Sequence, residues 1–351
     1  MNSNFDENLV LTFFVLIPVV SATILFLLKR PFRPSRRLPS WLKLAIGNLS
    51  FLLFFSSLLA LAGEVYYRFF YDTTDSFAFT KVSRRWIERY WHANANSVRD
   101  NIEYSPFKVA AKRRVTFFGD SFTAAHGVKS VEDRFANRLR AANPSWEIHV
   151  LAMPGADTGE ELELLKSCIR NGYQLENVVL VYCLNDISDI IPGWTQTLDQ
   201  INARAGAGGW LRRNSFLVNT LYYRLKRLHD PNLGKYYPFV RDAYHGDLWE
   251  QQKKRLREFK EVVDAHNGRL AVVTFPFFQS LGPNYEYRFA HDELGQFWQA
   301  LGIPHLDLFT VYQDIPAKKL MVNPLDPHPN EYAHRLAAEA IDGFLKKELV
   351  K

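Results

Sequence analysis

The stretch Val115-Thr-Phe-Phe-Gly-Asp-Ser-Phe-Thr123 decides the fold of this chain. Its β-branched and aromatic start, Val115–Phe118, predicts a strand. The run stops at Gly119, and Asp120 and Ser121 are residue types that begin helices. A strand that breaks at a glycine and passes into a helix presents its next side chains at the carboxyl edge of the sheet, where open α/β sheets bind ligands. An N–H at a helix start also favours negative charge in front of it. Taken alone, Gly119-Asp120-Ser121 is a weak signal and reads better as an ordinary helix cap.

Working outward, four more short apolar runs predict strands: Glu147–Ala152, Asn177–Cys183, Leu270–Phe275 and Ile303–Leu308. Helical patterns separate them, and near-continuous apolar strands of this kind belong to parallel sheets covered on both faces. The expected fold class is therefore α/β, a three-layer flavodoxin-like parallel sheet. Thr158-Gly-Glu-Glu161 reads as a capping box and Asn171-Gly172 as the end of that helix. After Asp247, Leu256, Phe259 and Val263 recur at helical spacing until Asn267-Gly268. The basic run Lys253–Arg257 on this helix interleaves with Glu250, Glu258 and Glu261 and reads as a solvated face. Residues 187–246 form an insertion, with a flexible loop expected over Ala203–Gly209 and a surface helix over Trp210–Leu228.

Three further pieces carry chemistry. Pro154-Gly155 follows the second strand, and a glycine there lets backbone approach a ligand. Cys183-Leu-Asn185-Asp186 follows the third, and an Asn amide at a strand end can donate to an anionic oxygen. Asn323-Pro-Leu-Asp326-Pro-His328-Pro-Asn330 precedes the last helix. Histidine suits the role of base to a serine because its pKa lies near neutrality, and an aspartate can fix its tautomer. Each piece also has a plain reading as turn, cap or exposed loop.

Together and in this order, the four pieces resemble the SGNH hydrolases, also called the GDSL family, over Arg114 to the C-terminus. The resemblance implies a nucleophile at Ser121, a base at His328 and an acid at Asp326. It also implies an oxyanion hole from the Ser121 N–H, Gly155 and Asn185, with no cofactor and no metal. The chain departs from the family pattern where Cys183 stands in place of a glycine, where the acid precedes the histidine by two residues, and where no asparagine precedes Gly155. Cys183 reads as a buried, inert thiol. His334 reads as a helix residue and not as the base, while His126 and His149 form no metal-ligand spacing.

The first sixty residues are a different material. Leu9 to Leu28 and Leu44 to Gly63 carry no charge, and each is long enough to cross a bilayer core. The loop between them holds Lys29, Arg30, Arg33, Arg36, Arg37 and Lys43, which account for the whole net charge of +6. That removes the main support for a nucleic-acid partner. A basic short loop stays cytoplasmic, so everything after Glu64 is expected outside, in the periplasm of a bacterium. The N-terminus, with Asp6 and Glu7 and no basic side chain, does not read as a cleaved signal. The expected organisation is a two-helix membrane anchor over 1–64, an aromatic-rich juxtamembrane segment over 65–113, and the hydrolase domain over 114–351. Cys168 and Cys183 are too few for a disulfide scaffold and are expected to stay unpaired. The expected activity is a membrane-anchored serine esterase or acyltransferase on an acyl ester of an envelope glycan. A lipid esterase and a non-catalytic envelope module that keeps the fold are the alternatives.

Overall fold

The computed structural model describes residues 3–29, 39–199, 208–229 and 231–349. The arginines of the basic loop, Arg30 to Arg37, and most of the Ala203–Gly209 loop lie outside the described residues. The chain divides into two compact units, each described by itself.

The larger unit contains residues 73–77, 86–199 and 231–349 among those described. Its sheet has five strands, all parallel: β1 (Arg113–Gly119), β2 (Trp146–Ala152), β3 (Asn177–Cys183), β4 (Arg269–Phe275) and β5 (His305–Asp307). Their order is β2-β1-β3-β4-β5, the flavodoxin-like winding. In the centre, Phe117 lies between Val150 of β2 and Val179 of β3. β3 is buried along its whole length, and β1 and β4 from their second residue on. Helices Phe135–Ala142 and Glu331–Glu348 pack together on one side, and Thr158–Arg170 and Gly246–Ala265 pack together elsewhere in the unit. A two-stranded ribbon, β6 (Met321–Asn323) with β7 (Asp326–Pro329), leads into the last helix.

Several elements differ from the sequence reading. β5 is shorter than Ile303–Leu308, because Pro304 has no N–H for the ladder and Leu308 already caps the turn Phe309–Tyr312. The helix at Thr158 is capped by Asp157, whose carboxylate accepts from the N–H groups of Gly159 and Glu160. Thr158 and Glu161 are therefore not a capping box: the Thr158 hydroxyl accepts from Gln252, and Glu161 is buried. Arg255 is not on a solvated face either, since its guanidinium holds Asp189 at 2.5 and 2.7 Å.

The segment before β1 is built into this unit. Asp100 is buried between Arg134, at 2.6 Å, and Arg140, at 2.8 Å, and accepts a hydrogen bond from the Tyr104 hydroxyl. Losing one partner of such a buried pair costs about 3–5 kcal/mol, because the remaining charge stays desolvated. Arg99 lies over the rings of Trp86 and Trp91 and donates to the carbonyls of Ala125 and Val128 at 2.6 Å. Burial, with Arg134 nearby, pulls its pKa down to about 10. It braces the turn that follows Ser121.

The smaller unit contains the described parts of residues 1–72, 78–85 and 205–229. Ser3–Lys29 and Ser40–Val65 are long helices, and a π-turn, Tyr66–Phe70, continues the second. Both are long and apolar enough to cross a membrane. Arg68 pairs with Glu7 at 3.3 Å, and Arg85 donates to the carbonyls of Tyr67 and Tyr71, which the helix end leaves without partners. The expected single helix over Trp210–Leu228 is two, Trp210–Asn214 and Phe216–His229, broken at the extended residue Ser215. Glu64 causes the break to be stable. Its buried carboxylate accepts from the Ser215 hydroxyl at 2.7 Å and from the N–H groups of Phe216 and Leu217 at 3.1 and 2.9 Å.

Candidate active site

The sheet order brings three loops together at one edge. β2, β1 and β3 are neighbours and parallel, so the residues after their last positions share the carboxyl edge. Ser121 follows β1, Gly155 follows β2 and Asn185 follows β3. Asp120 caps the short helix Ser121–Ala124 by accepting from the Phe122 N–H at 2.8 Å. Ser121 thus opens the helix, and its N–H is among those with no partner inside it. Gly155 has φ +83°, a backbone region that an L side chain rarely adopts, and open space surrounds the position of a Cβ.

Asn185 lies near enough to Asp120 to lower its carboxyl pKa. Burial raises the Asp120 pKa, against the Phe122 N–H and His328, which lower it.

β7 carries the other half of the site. His328 Nε2 lies 2.8 Å from Ser121 Oγ, and His328 Nδ1 is hydrogen-bonded to Asp326 Oδ1. The His328 backbone N–H also donates to Asp326 Oδ1, at 3.2 Å. The serine, histidine and aspartate expected from the sequence therefore meet in one chain of hydrogen bonds. Asp326 is fully buried; desolvation works against its charge, but His328 beside it holds the carboxyl well below the usual range. Burial likewise works against charge on His328, yet Asp326 outweighs it and the imidazole pKa lies above its ordinary 6.5.

Two residues that the sequence reading did not place complete the surroundings of Asp326. Thr74 donates its hydroxyl to Asp326 Oδ2. It is held there by Asn323, whose amide donates to Thr73 Oγ1 at 2.8 Å and to the Thr74 carbonyl at 2.9 Å. His126 Nε2 lies 3.5 Å from Asp326 Oδ2 and 3.2 Å from the Asp75 carbonyl. Both neighbours are acceptors, so Nε2 carries the hydrogen. Burial, then His328, keep the His126 pKa below its ordinary value, and the ring is neutral. Gly127, at φ +87°, brings the turn against Thr74 and Val322, where a Cβ would collide with the Val322 side chain.

We expect Thr74→Val to lower kcat/KM on a simple ester about tenfold, the worth of one hydrogen bond to a buried charge. Thr74→Ser should restore it, and the loss should fall on kcat with KM unchanged. Equal loss in the Ser and Val variants would mean that the methyl group matters and the hydroxyl does not.

Donor atoms of His126, Asp326 and His328 lie within 4.8 Å of one another, close enough to share a metal ion. His328 already spends Nε2 on Ser121 and Nδ1 on Asp326, and His126 Nε2 carries a proton. A cation held by all three would take the base from the serine.

Behind the nucleophile lie further buried acids. Neither carboxyl oxygen of Glu161 has a hydrogen-bond partner among the described residues. Burial, then Asp120, push its pKa well above the usual carboxyl value. Asp186 accepts from the Cys183 N–H at 2.8 Å and is raised by burial and Glu161. Cys168 and Cys183 are both free thiols; burial pushes Cys168 up to about 11 and Cys183 well above its usual value, as expected of inert thiols. His334 is buried, and its Nδ1 accepts from the Phe135 N–H at 3.4 Å. His149 stacks on Tyr104 and meets the Tyr173 hydroxyl at 2.6 Å.

Neither a family model nor a curated protein matches the chain. Among solved structures, it is similar to a two-domain esterase active on acetylated mannans, at 13% identity and TM-score 0.41, over 68% of this chain and 50% of that one. The match therefore spans half the length of that esterase. An esterase from Pseudoalteromonas sp. is similar at 16% identity and TM-score 0.42, over 68% of this chain and all of that one. An extracellular lipase from Streptomyces rimosus is similar at 14% identity and TM-score 0.43, over 67% and 98%. At TM-scores of this size, strand order and register, not the likeness, define the fold.

Proposed function

We infer that the chain is a serine hydrolase of the SGNH (GDSL) type, acting on ester bonds with Ser121 as nucleophile, His328 as base and Asp326 as the acid that orients it. The observation that carries this reading is the relay from Ser121 Oγ through both nitrogens of His328 to a fully buried Asp326. The order of the four sequence pieces along the chain supports it independently.

In the first half-reaction, Ser121 Oγ attacks the ester carbonyl carbon while its proton passes to His328 Nε2. The Asp326 carboxylate stabilises the imidazolium so formed. The carbonyl oxygen becomes an oxyanion, for which the N–H groups of Ser121 and Gly155 and the Asn185 side-chain amide are the donors. Each such donor is worth about 3 kcal/mol in the transition state. Collapse breaks the bond to the alkoxide, which takes the proton from His328 and leaves an acyl-serine. Water, deprotonated by His328, releases the acid; a sugar hydroxyl in its place completes an acyl transfer.

The two long apolar helices support a membrane anchor, since most of their large side chains face outward, Leu52 and Leu59 at 64% and 75% exposure. Core helices bury such residues. With the basic loop between them inside, the catalytic unit faces the periplasm. A site there meets acylated glycans and lipids, and an acetyl ester of an envelope glycan is the substrate we favour. The test is hydrolysis of p-nitrophenyl esters of increasing chain length, followed by release of acetate from acetylated polysaccharide. A preference for acetate supports the glycan ester, and a preference for long chains moves the assignment to a lipid. Absence of both turnover and fluorophosphonate labelling would leave a fold that binds without catalysis.

A further inference from the structure

The helix Phe216–His229 has apolar side chains on its outer face and polar ones on part of its covered face. Leu221, Tyr222 and Leu225 form an exposed stripe at helical spacing, with Leu221 and Leu225 at 43% and 60% exposure. Its covered stripe includes two polar residues, Asn219 and Thr220. Asn219 accepts from the Lys81 N–H at 2.7 Å and donates to the Arg212 carbonyl at 3.2 Å. A surface helix in water turns its polar residues out. This one covers Asn219 and Thr220 beside Phe216 and Tyr223 and turns Leu221 and Leu225 out, a pattern that suits apolar outer surroundings.

The start of this helix lies against apolar parts of both long helices. Trp210, just before it, meets Phe13 edge to face at 6.3 Å, and Phe13 is well within the charge-free run of the first helix. Leu217 lies so close to Gly63, at the end of the apolar run of the second, that a Cβ there would come within 2.9 Å of it. A helix N-terminus in such a place has unpaired N–H groups and no water to satisfy them. Glu64 supplies the acceptors, with both oxygens used and the carboxylate fully buried. Further along, Arg224 reaches the hydroxyls of Tyr67 at 2.9 Å and Tyr71 at 2.8 Å, the aromatic and cationic chemistry of a membrane–water boundary.

We propose that Trp210–Leu225 is a third membrane element, a short helix pair immersed at the acyl–headgroup boundary of the leaflet that holds Glu7 and Glu64, with Leu221 and Leu225 in contact with lipid. The proposal rests on the reading of the two long helices as spans. It commits to lipid as the occupant because Leu221 and Leu225 face outward on a helix pair that packs on Phe13 and Gly63, in the apolar runs of the two long helices. The insertion after β3 then ties the chain to the bilayer at a second place.

The test uses the full chain in phosphatidylethanolamine–phosphatidylglycerol nanodiscs. Single cysteines replace Leu221 or Leu225 in a Cys168→Ser background, leaving Cys183 buried, and each carries a nitroxide. Collision with oxygen and with a water-soluble nickel chelate is measured against Leu52→Cys in the second long helix and Arg170→Cys on the catalytic unit. We expect positions 221 and 225 to share with position 52 the preference for oxygen over the chelate, at least fivefold over position 170. Chelate access like that of position 170, with position 52 in lipid, overturns the proposal. So does low access to both reagents, which would mean contact with a second copy or another protein. Chelate access at position 52 itself would instead remove the membrane reading on which the proposal stands. Each variant must keep serine labelling by fluorophosphonate; where one does not, Tyr222→Cys takes its place.

Discussion

Replacing Ser121 by alanine should lower hydrolysis of p-nitrophenyl acetate by about 10⁴-fold or more, while thermal unfolding of the protein stays where it was. The expectation follows from what the hydroxyl does and does not hold. Its close partner is His328 Nε2, at 2.8 Å, with the Asp120 carboxylate at the limit of hydrogen bonding, 3.5 Å. It contributes no packing, so its removal leaves no cavity in the core. The catalytic loss is large because no covalent path remains, and in sites of this kind removing the nucleophile alone costs nearly as much as removing the whole set. Residual turnover then comes from the oxyanion donors, which act on water attack as well. Labelling by a fluorophosphonate probe should vanish in the same variant. Activity within tenfold of the native protein, with folding intact, would place the nucleophile elsewhere.

The parts of this site that were legible in the sequence are those fixed by local chemistry. Gly119-Asp120-Ser121 sits at a strand end because a β-branched run must stop there, and the apolar β3 had to be a buried central strand. Asp326 and His328, two apart in an extended segment, fall on the same side of it. Thr74 and His126 were not legible, for different reasons. Thr74 is 252 residues from the carboxylate it touches, in a polar stretch with no periodicity to place it. His126 follows the nucleophile by five residues, but only the left-handed turn at Ala125 and Gly127 swings it back toward Asp326. Glu161 was misread because its spacing from Thr158 mimics a capping box, whereas Asp157, one residue earlier, had the better-placed oxygen. The helix after Ser215 has alternating apolar and basic residues, which by themselves do not say which stripe faces out.

Asp326→Asn should lower kcat/KM by about 10²–10⁴-fold and move its pH dependence in a stated direction. The base must be neutral to accept the serine proton, so activity in the native protein rises with pH through the His328 pKa. That pKa is raised above 6.5, because Asp326 outweighs the cost of burial. With asparagine the charge is gone and the cost of burial remains, so the rise should occur at lower pH, on a much lower plateau. The amide has a preferred orientation. Position Oδ1 receives both the His328 backbone N–H and Nδ1, so the amide oxygen belongs there and the correct tautomer survives. The NH₂ then faces Thr74 and the protonated Nε2 of His126, where one donor is too many. Thr74 can turn its hydroxyl and accept, so its donation no longer serves the acid. Thr74→Val should consequently cost about tenfold in the native protein and little in the Asp326→Asn variant, an interaction that a double-mutant cycle measures directly. A tenfold loss in both backgrounds would mean that Thr74 acts on the fold of the loop and not through the carboxylate, and a rise displaced to higher pH would mean that Asp326 does not set the basicity of His328.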